Sequence, residues 1–136
     1  MAKGSVPCSK PKPVIIPHKM VESIQSWYEA FLFTHYRAPV ITLCGSSKFK
    51  KEFEAVSLDL SLMGFIVISL GLFGHADHPE IMIDHEIKSM LDCNHKQKIR
   101  MSDAIFVINP GNYIGESTRS EIVYANDLKR TIWYLE

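Results

Sequence analysis

The sequence predicts an α/β fold: a three-layer, flavodoxin/Rossmann-like parallel sheet of about four strands in the order 2-1-3-4, with an additional N-terminal helix. Three observations carry this. Short, almost wholly apolar runs at Val40–Leu43, Phe65–Ile68, Ala104–Ile108 and Ile132–Leu135 have the length and all-round hydrophobicity of strands covered on both faces. Between them lie stretches whose apolar residues recur every three or four positions, as in amphipathic helices. The alternation of the two implies parallel strands joined by right-handed crossovers.

Taken in order, residues 1–17 form a Pro/Lys-rich lead without periodicity, predicted to be flexible or loosely docked. Residues 18–38 follow as an N-terminal helix, in which Met20, Ile24, Trp27, Tyr28, Phe31 and Leu32 make one stripe. Its aromatic content suggests a docking face for the rest of the chain, for a partner or for a second copy. Residues 39–136 make the α/β domain. Pro39 turns the chain into the first strand; Phe49, Phe53, Val56 and Leu60 mark the buried stripe of the next helix, which Gly64 terminates. After the second strand comes a Gly/His loop, Gly71–His78. Ile83, Ile87, Met90 and Leu91 mark a helix reaching about Met101, and Ile122, Ala125 and Leu128 the inner face of the last one.

Composition bounds the function. The chain has 136 residues, 46% hydrophobic and 22% charged, with 15 basic and 15 acidic side chains. That is ordinary globular usage without the basic footprint of a nucleic-acid binder, so no nucleic-acid partner is expected. No apolar run approaches the ~18 residues of a membrane span, and the N-terminal lysines and prolines lack a signal-peptide core. Cys8, Cys44 and Cys93 are an odd number without CxxC spacing. Free thiols in a reducing, cytoplasmic setting are the expectation, with no membrane partner.

Two strand-to-helix junctions carry the candidate chemistry. Gly45, Ser46, Ser47 and Lys48 follow the first strand and offer backbone N–H groups at a helix start, two hydroxyls and a cation, which is equipment for an anion. The GxxxxGK[ST] spacing of a Walker loop is absent, and a serine N-cap after a tight turn is the plainer reading. Gly115, Ser117, Thr118 and Arg119 lie beyond the third strand, ahead of Glu121. Thr118 to Glu121 fits a capping box, in which the glutamate returns a hydrogen bond to its own helix. Alternatively Glu121 is a carboxylate available to a sugar's anomeric carbon. In the order 2-1-3-4, strands one and three flank the topological switch point, where ligands settle.

His95 is a candidate proton-transfer group on the helix before strand three, although an exposed surface histidine is the commoner case. Cys44 reads as a small apolar residue ending strand one. His75, Asp77, His78, Asp84 and His85 cluster in sequence, but without the fixed spacing of a metal motif, so neither metal nor cofactor is expected.

Leu43–Ser47, Ser102–Val107 and Gly115–Ala125 together resemble, in order and spacing, the nucleoside 2-deoxyribosyltransferase-like superfamily. That group contains transferases and hydrolases of N-glycosidic bonds in nucleosides and nucleoside 5′-monophosphates. The resemblance covers about residues 39 to 136. It implies a small-molecule nucleoside or nucleotide as partner, Glu121 as nucleophile, and Ser46, Ser47 and Ser117 holding a 5′-phosphate or 5′-hydroxyl. It departs from the family where His95 stands in place of an aspartate that assists base protonation, and where Gly115 occupies an acidic or serine position. The Cys44–Ser47 loop is also similar to that of the lysine-decarboxylase-like phosphoribohydrolases, whose substrate class is nearly the same. A nucleotide-binding or sensing module of the same fold without catalysis is the alternative, and a homodimer is the expected assembly if any forms.

Overall fold

A computed structural model describes residues 12–136. Four strands, β1 (Val40–Gly45), β2 (Ile66–Ile68), β3 (Ala104–Ile108) and β4 (Thr131–Tyr134), form one sheet in the order β2-β1-β3-β4. Every pair is parallel, with Ile41 opposite Val67 and Ala104, and Ala104 opposite Thr131. The helices are α1 (His18–His35), α2 (Lys50–Leu62), the single turn α3 (Gly74–Asp77), α4 (His85–Arg100) and α5 (Glu116–Asp127). The α/β class and the strand order are those the sequence predicts.

The three layers follow from the period-two alternation of the strands. On β1, Ile41 and Leu43 join Phe53, Val56 and Leu60 of α2 and Ile24 of α1 in one apolar cluster. The opposite face carries Cys44, Ile105 and Val107, packed with Ile99 of α4 and Ala125 of α5. Thr42 also faces α4, where its hydroxyl pairs with Ser102 and with the Lys98 carbonyl at 3.2 Å. One face of the sheet is therefore apolar, whereas the other has polar groups on both sides of its apolar patch, Thr42 and Ser102 toward the amino ends of the strands and His95 and Glu121 toward the carboxyl ends.

Local structure explains where elements stop. Helix α2 ends in a Schellman motif: Gly64 at φ +104° donates to the Ser61 carbonyl, and Phe65 donates to that of Leu60. Helix α4 begins later than its apolar pattern suggests, because Asp84 acts as N-cap and accepts from the amides of Glu86 and Ile87 at 2.9 and 3.1 Å. Its buried face differs too. Ile83 and Met90 are exposed, and the inward stripe instead runs Leu91, His95 and Ile99.

Two further expectations are corrected and one is narrowed. Strand β2 is not covered on both faces: it is a sheet edge, and Ile66 is largely exposed. The helix-1 aromatics dock on the rest of the chain, where Trp27 stacks on Phe65 at 6.0 Å and Tyr28 meets the same ring edge-on at 5.2 Å. Residues 12–17 of the predicted flexible lead are docked. The Asp59 carboxylate, on buried α2, accepts from the amides of Val14, Ile15 and Ile16 at 2.6, 2.9 and 3.0 Å, and Ile16 joins the core. The remainder of that lead, residues 1–11, lies outside the described residues. No helix among the described residues is long and apolar enough to cross a membrane.

Candidate functional site

Strands β1 and β3 feed helices on opposite faces of the sheet, so a crevice opens beyond their carboxyl ends. A cavity of about 420 Å³ occupies it, within the ~300–1,000 Å³ usual for small-molecule sites. Its walls include Gly45, Ser46 and Ser47 from the first junction and Gly115, Ser117 and Thr118 from the second. The two junctions meet, as the strand order requires.

Gly45 is dictated by this meeting. A Cβ there would stand 2.7 Å from the Ile108 carbonyl oxygen of β3, a clash between two backbones that neither strand can relieve. Ser47 is turned toward the loop after β2, where its hydroxyl accepts from the His75 amide at 2.9 Å. Ser46 accepts weakly from the Lys48 amide at 3.4 Å. Two predicted binding residues lie off the cavity wall. The ammonium of Lys48 sits 3.7 Å above the Tyr113 ring instead, a cation–π contact that holds it at the rim. Arg119 is exposed on the outer side of α5.

Glu121 sits on the inner face of α5 and is only 7% exposed. The capping-box expectation is overturned. Helix α5 starts at Glu116 with Gly115 as N-cap, so Thr118 is already helical and Glu121 lies in the second turn. From there its carboxyl cannot serve the first amides and points to the cavity floor. His95 of α4, likewise buried, brings Nε2 to 3.8 Å from Glu121 Oε2. It is not the surface histidine that its residue type most often signals. Cys44 completes the group: although wholly buried at the end of β1, it faces Glu121 rather than only apolar neighbours.

Burial governs the electrostatics of this floor. It lowers His95 to about 4, with the Lys98 ammonium adding to the effect. Glu121 is pushed up to about 8 by burial and by the nearby Asp92 carboxylate. Burial and the same glutamate raise the Cys44 thiol. All three groups are therefore neutral at pH 7. The ionised groups stand nearer the mouth, where Lys88 Nζ bonds Asp92 Oδ2 at 3.2 Å and Ser117 Oγ at 3.0 Å. Lys98 donates to the Ser69 carbonyl at 2.9 Å.

Lys88, Asp92 and Lys98 escaped the sequence reading. Their signal was the spacing of 88, 92, 95 and 98–99, one helical face on which polar and apolar residues mix. An apolar-stripe search passes over such a face. The His75–His85 cluster does not assemble: Asp77 pairs with Lys50 at 2.9 Å, His78 with Glu80 at 3.4 Å, and Asp84 caps α4.

Comparison with protein-family models, with curated proteins and with solved structures gave no match to this chain.

Proposed function

We propose that the chain binds a nucleoside or nucleoside 5′-monophosphate in this crevice and cleaves or transfers at its N-glycosidic bond, with Glu121 facing the anomeric carbon. One observation carries the reading: a buried carboxyl on the cavity floor lies below a mouth built from the start of α5, the Ser46–Ser47 loop that precedes Phe49, the N-cap of α2, and Ser117 and Lys88. The mouth suits an anion, since helix N-termini present unpaired N–H groups and Lys88 supplies the counter-charge. The floor suits the sugar, because N-glycosides break through an oxocarbenium-like state that a carboxylate stabilises or traps. The likeness of the two junctions to the nucleoside 2-deoxyribosyltransferase-like superfamily points the same way.

The direct test is chromatography for free base after incubation with nucleosides and nucleoside monophosphates. Glu121 acts as a carboxylate, so kcat/KM is expected to rise about tenfold per pH unit up to about 8 and then level. A flat profile from pH 6 to 9 with turnover present would remove Glu121 from the nucleophile's role. Lys88→Met is expected to raise KM for a monophosphate roughly tenfold or more while leaving the unphosphorylated nucleoside nearly unaffected. Equal effects on both would dissociate Lys88 from the phosphate.

A second reading, binding without turnover, is favoured by the neutrality of Glu121 and His95 at pH 7, which leaves no ionised group on the floor. Saturable nucleotide binding with no base released at any pH distinguishes it.

A further inference from the structure

Cys44, His95 and Glu121 come from three different elements, β1, α4 and α5, and converge where His95 and Glu121 line the cavity and Cys44 lies wholly buried behind them. A ligand atom from each lies within 4.8 Å of the other two, and all three residues are buried. His95 Nε2 and Glu121 Oε2 face one another without a hydrogen-bond partner, while the Leu43 backbone carbonyl acts on the His95 ring. Buried polar atoms are normally paired, and two unpaired donor atoms facing one another suit a shared ligand. We propose that Cys44 Sγ, His95 and Glu121 bind a zinc ion whose fourth position opens into the cavity.

The donor set selects the metal. A thiolate with an imidazole excludes the hard ions calcium and magnesium, which take all-oxygen shells. Sulfur, nitrogen and oxygen donors together suit zinc, and three protein ligands with an open fourth position are the pattern of zinc sites that also hold water or a substrate atom. Bond lengths of ~2.0–2.3 Å put neighbouring ligand atoms roughly 3.3–3.8 Å apart. His95 Nε2 and Glu121 Oε2 already stand at 3.8 Å and no two of the ligand atoms are more than 4.8 Å apart, so closure requires only a small inward movement of the three side chains. Thiolate and carboxylate together neutralise the ion's two charges, which a buried site demands. Lys98, the cation that acts on Cys44 and His95, is turned toward the Ser69 carbonyl. The exposed Cys93 is no part of the group.

The site goes beyond the glycosidic reading and competes with it. A zinc-bound Glu121 cannot attack an anomeric carbon, so metal occupancy is expected to suppress base release, and the open coordination position takes water or an anionic oxygen of the ligand.

The test is titration of the chelator-treated, full-length protein with Co²⁺, read by its visible d–d bands and by thiolate-to-cobalt charge transfer in the near ultraviolet, followed by displacement with Zn²⁺. The expected result is one tetrahedral cobalt per chain with a thiolate band. Cys44→Ser is expected to abolish that band, and His95→Ala and Glu121→Gln each to weaken binding about tenfold or more. The combined variant Cys8→Ser, Cys93→Ser is expected to bind as the wild type does. Absence of the thiolate band from the wild-type protein overturns the proposal, as does its persistence in Cys44→Ser or its loss with Cys8 and Cys93. The wild-type measurement stands even if a variant fails to fold. Base release by chelated protein is read separately, so failure of the metal site and failure of the glycosidic reading are told apart.

Discussion

Replacing Glu121 by glutamine is expected to raise the melting temperature of the metal-free protein at pH 8 by on the order of ten degrees, and to change it little at pH 4.5. The folded state holds this carboxyl at about 8 against an ordinary value of 4.5. Below pH 4.5 folded and unfolded chains both carry the proton, and the raised value has no cost. As pH climbs toward 8 the unfolded chain releases the proton while the folded chain keeps it, so stability falls, by about 4 kcal/mol on reaching pH 8. Glutamine keeps the shape without a proton to lose, and so removes that fall. His95 contributes in the opposite direction. Lowered from 6.5 to about 4 chiefly by burial, it costs nothing above pH 6.5, where both states are neutral, and stability falls as pH drops from 6.5 to 4 because only the unfolded chain takes up the proton. Acting alone, the two groups set a stability maximum near pH 5.5, where the unfolded chain binds as many protons as the folded one. Thermal melts across pH 4 to 9 check both slopes. A wild-type melting temperature that keeps rising to pH 8 would place the Glu121 proton elsewhere. The same substitution is expected to cut base release roughly a hundredfold or more, the usual opposition between a stable site and an active one.

Asp59→Ala is expected to lower stability by about 3–5 kcal/mol, and the melting temperature by ten degrees or more. The carboxylate is 3% exposed and accepts three consecutive backbone amides, those of Val14, Ile15 and Ile16. Removing it leaves these donors without an acceptor beside an apolar core, and Ile16 loses the anchor that seats it there. Asp59→Asn keeps one acceptor oxygen and is expected to fall between alanine and wild type. Limited proteolysis gives an independent reading: cleavage between residues 12 and 17 should accelerate in the alanine variant ahead of cleavage elsewhere. A variant that melts within two or three degrees of wild type, with its N-terminal segment still protected, would mean that apolar packing of Ile16 suffices.

Both predictions concern buried carboxyls, and neither was readable as such. Asp59 lies in a helical stretch whose apolar stripe was correctly found, yet its acceptor role depends on residues some 45 positions earlier in the chain. Glu121 was singled out, but its sequence context also fits a capping box. The two readings differ only in where the helix begins. The start at Glu116 decides between them, because it moves Glu121 from the first turn to the second and so from the helix's own amides to the crevice.

His95 stands out by its type and by the resemblance, whereas Asp92 and Lys88 on the same face look in sequence like a solvated surface. Lys48 and Arg119 lie in the two junctions, but a junction specifies a backbone path and not a side-chain direction. Tyr113 holds Lys48 at the rim, and the helical phase of α5 turns Arg119 outward.

The class of fold, the strand order and the meeting of the two junctions beyond the carboxyl ends of β1 and β3 were legible in one dimension. Each rests on local periodicity, apolar run length and connection rules, which act over a few residues and so survive in one dimension. Tertiary structure alone decided that Cys44, His95 and Glu121 meet, that they are neutral, and that the cavity's charge lies at its mouth. Those properties depend on burial and on distances between residues up to 77 positions apart. Desolvation is set by what covers a group, and no local pattern records that.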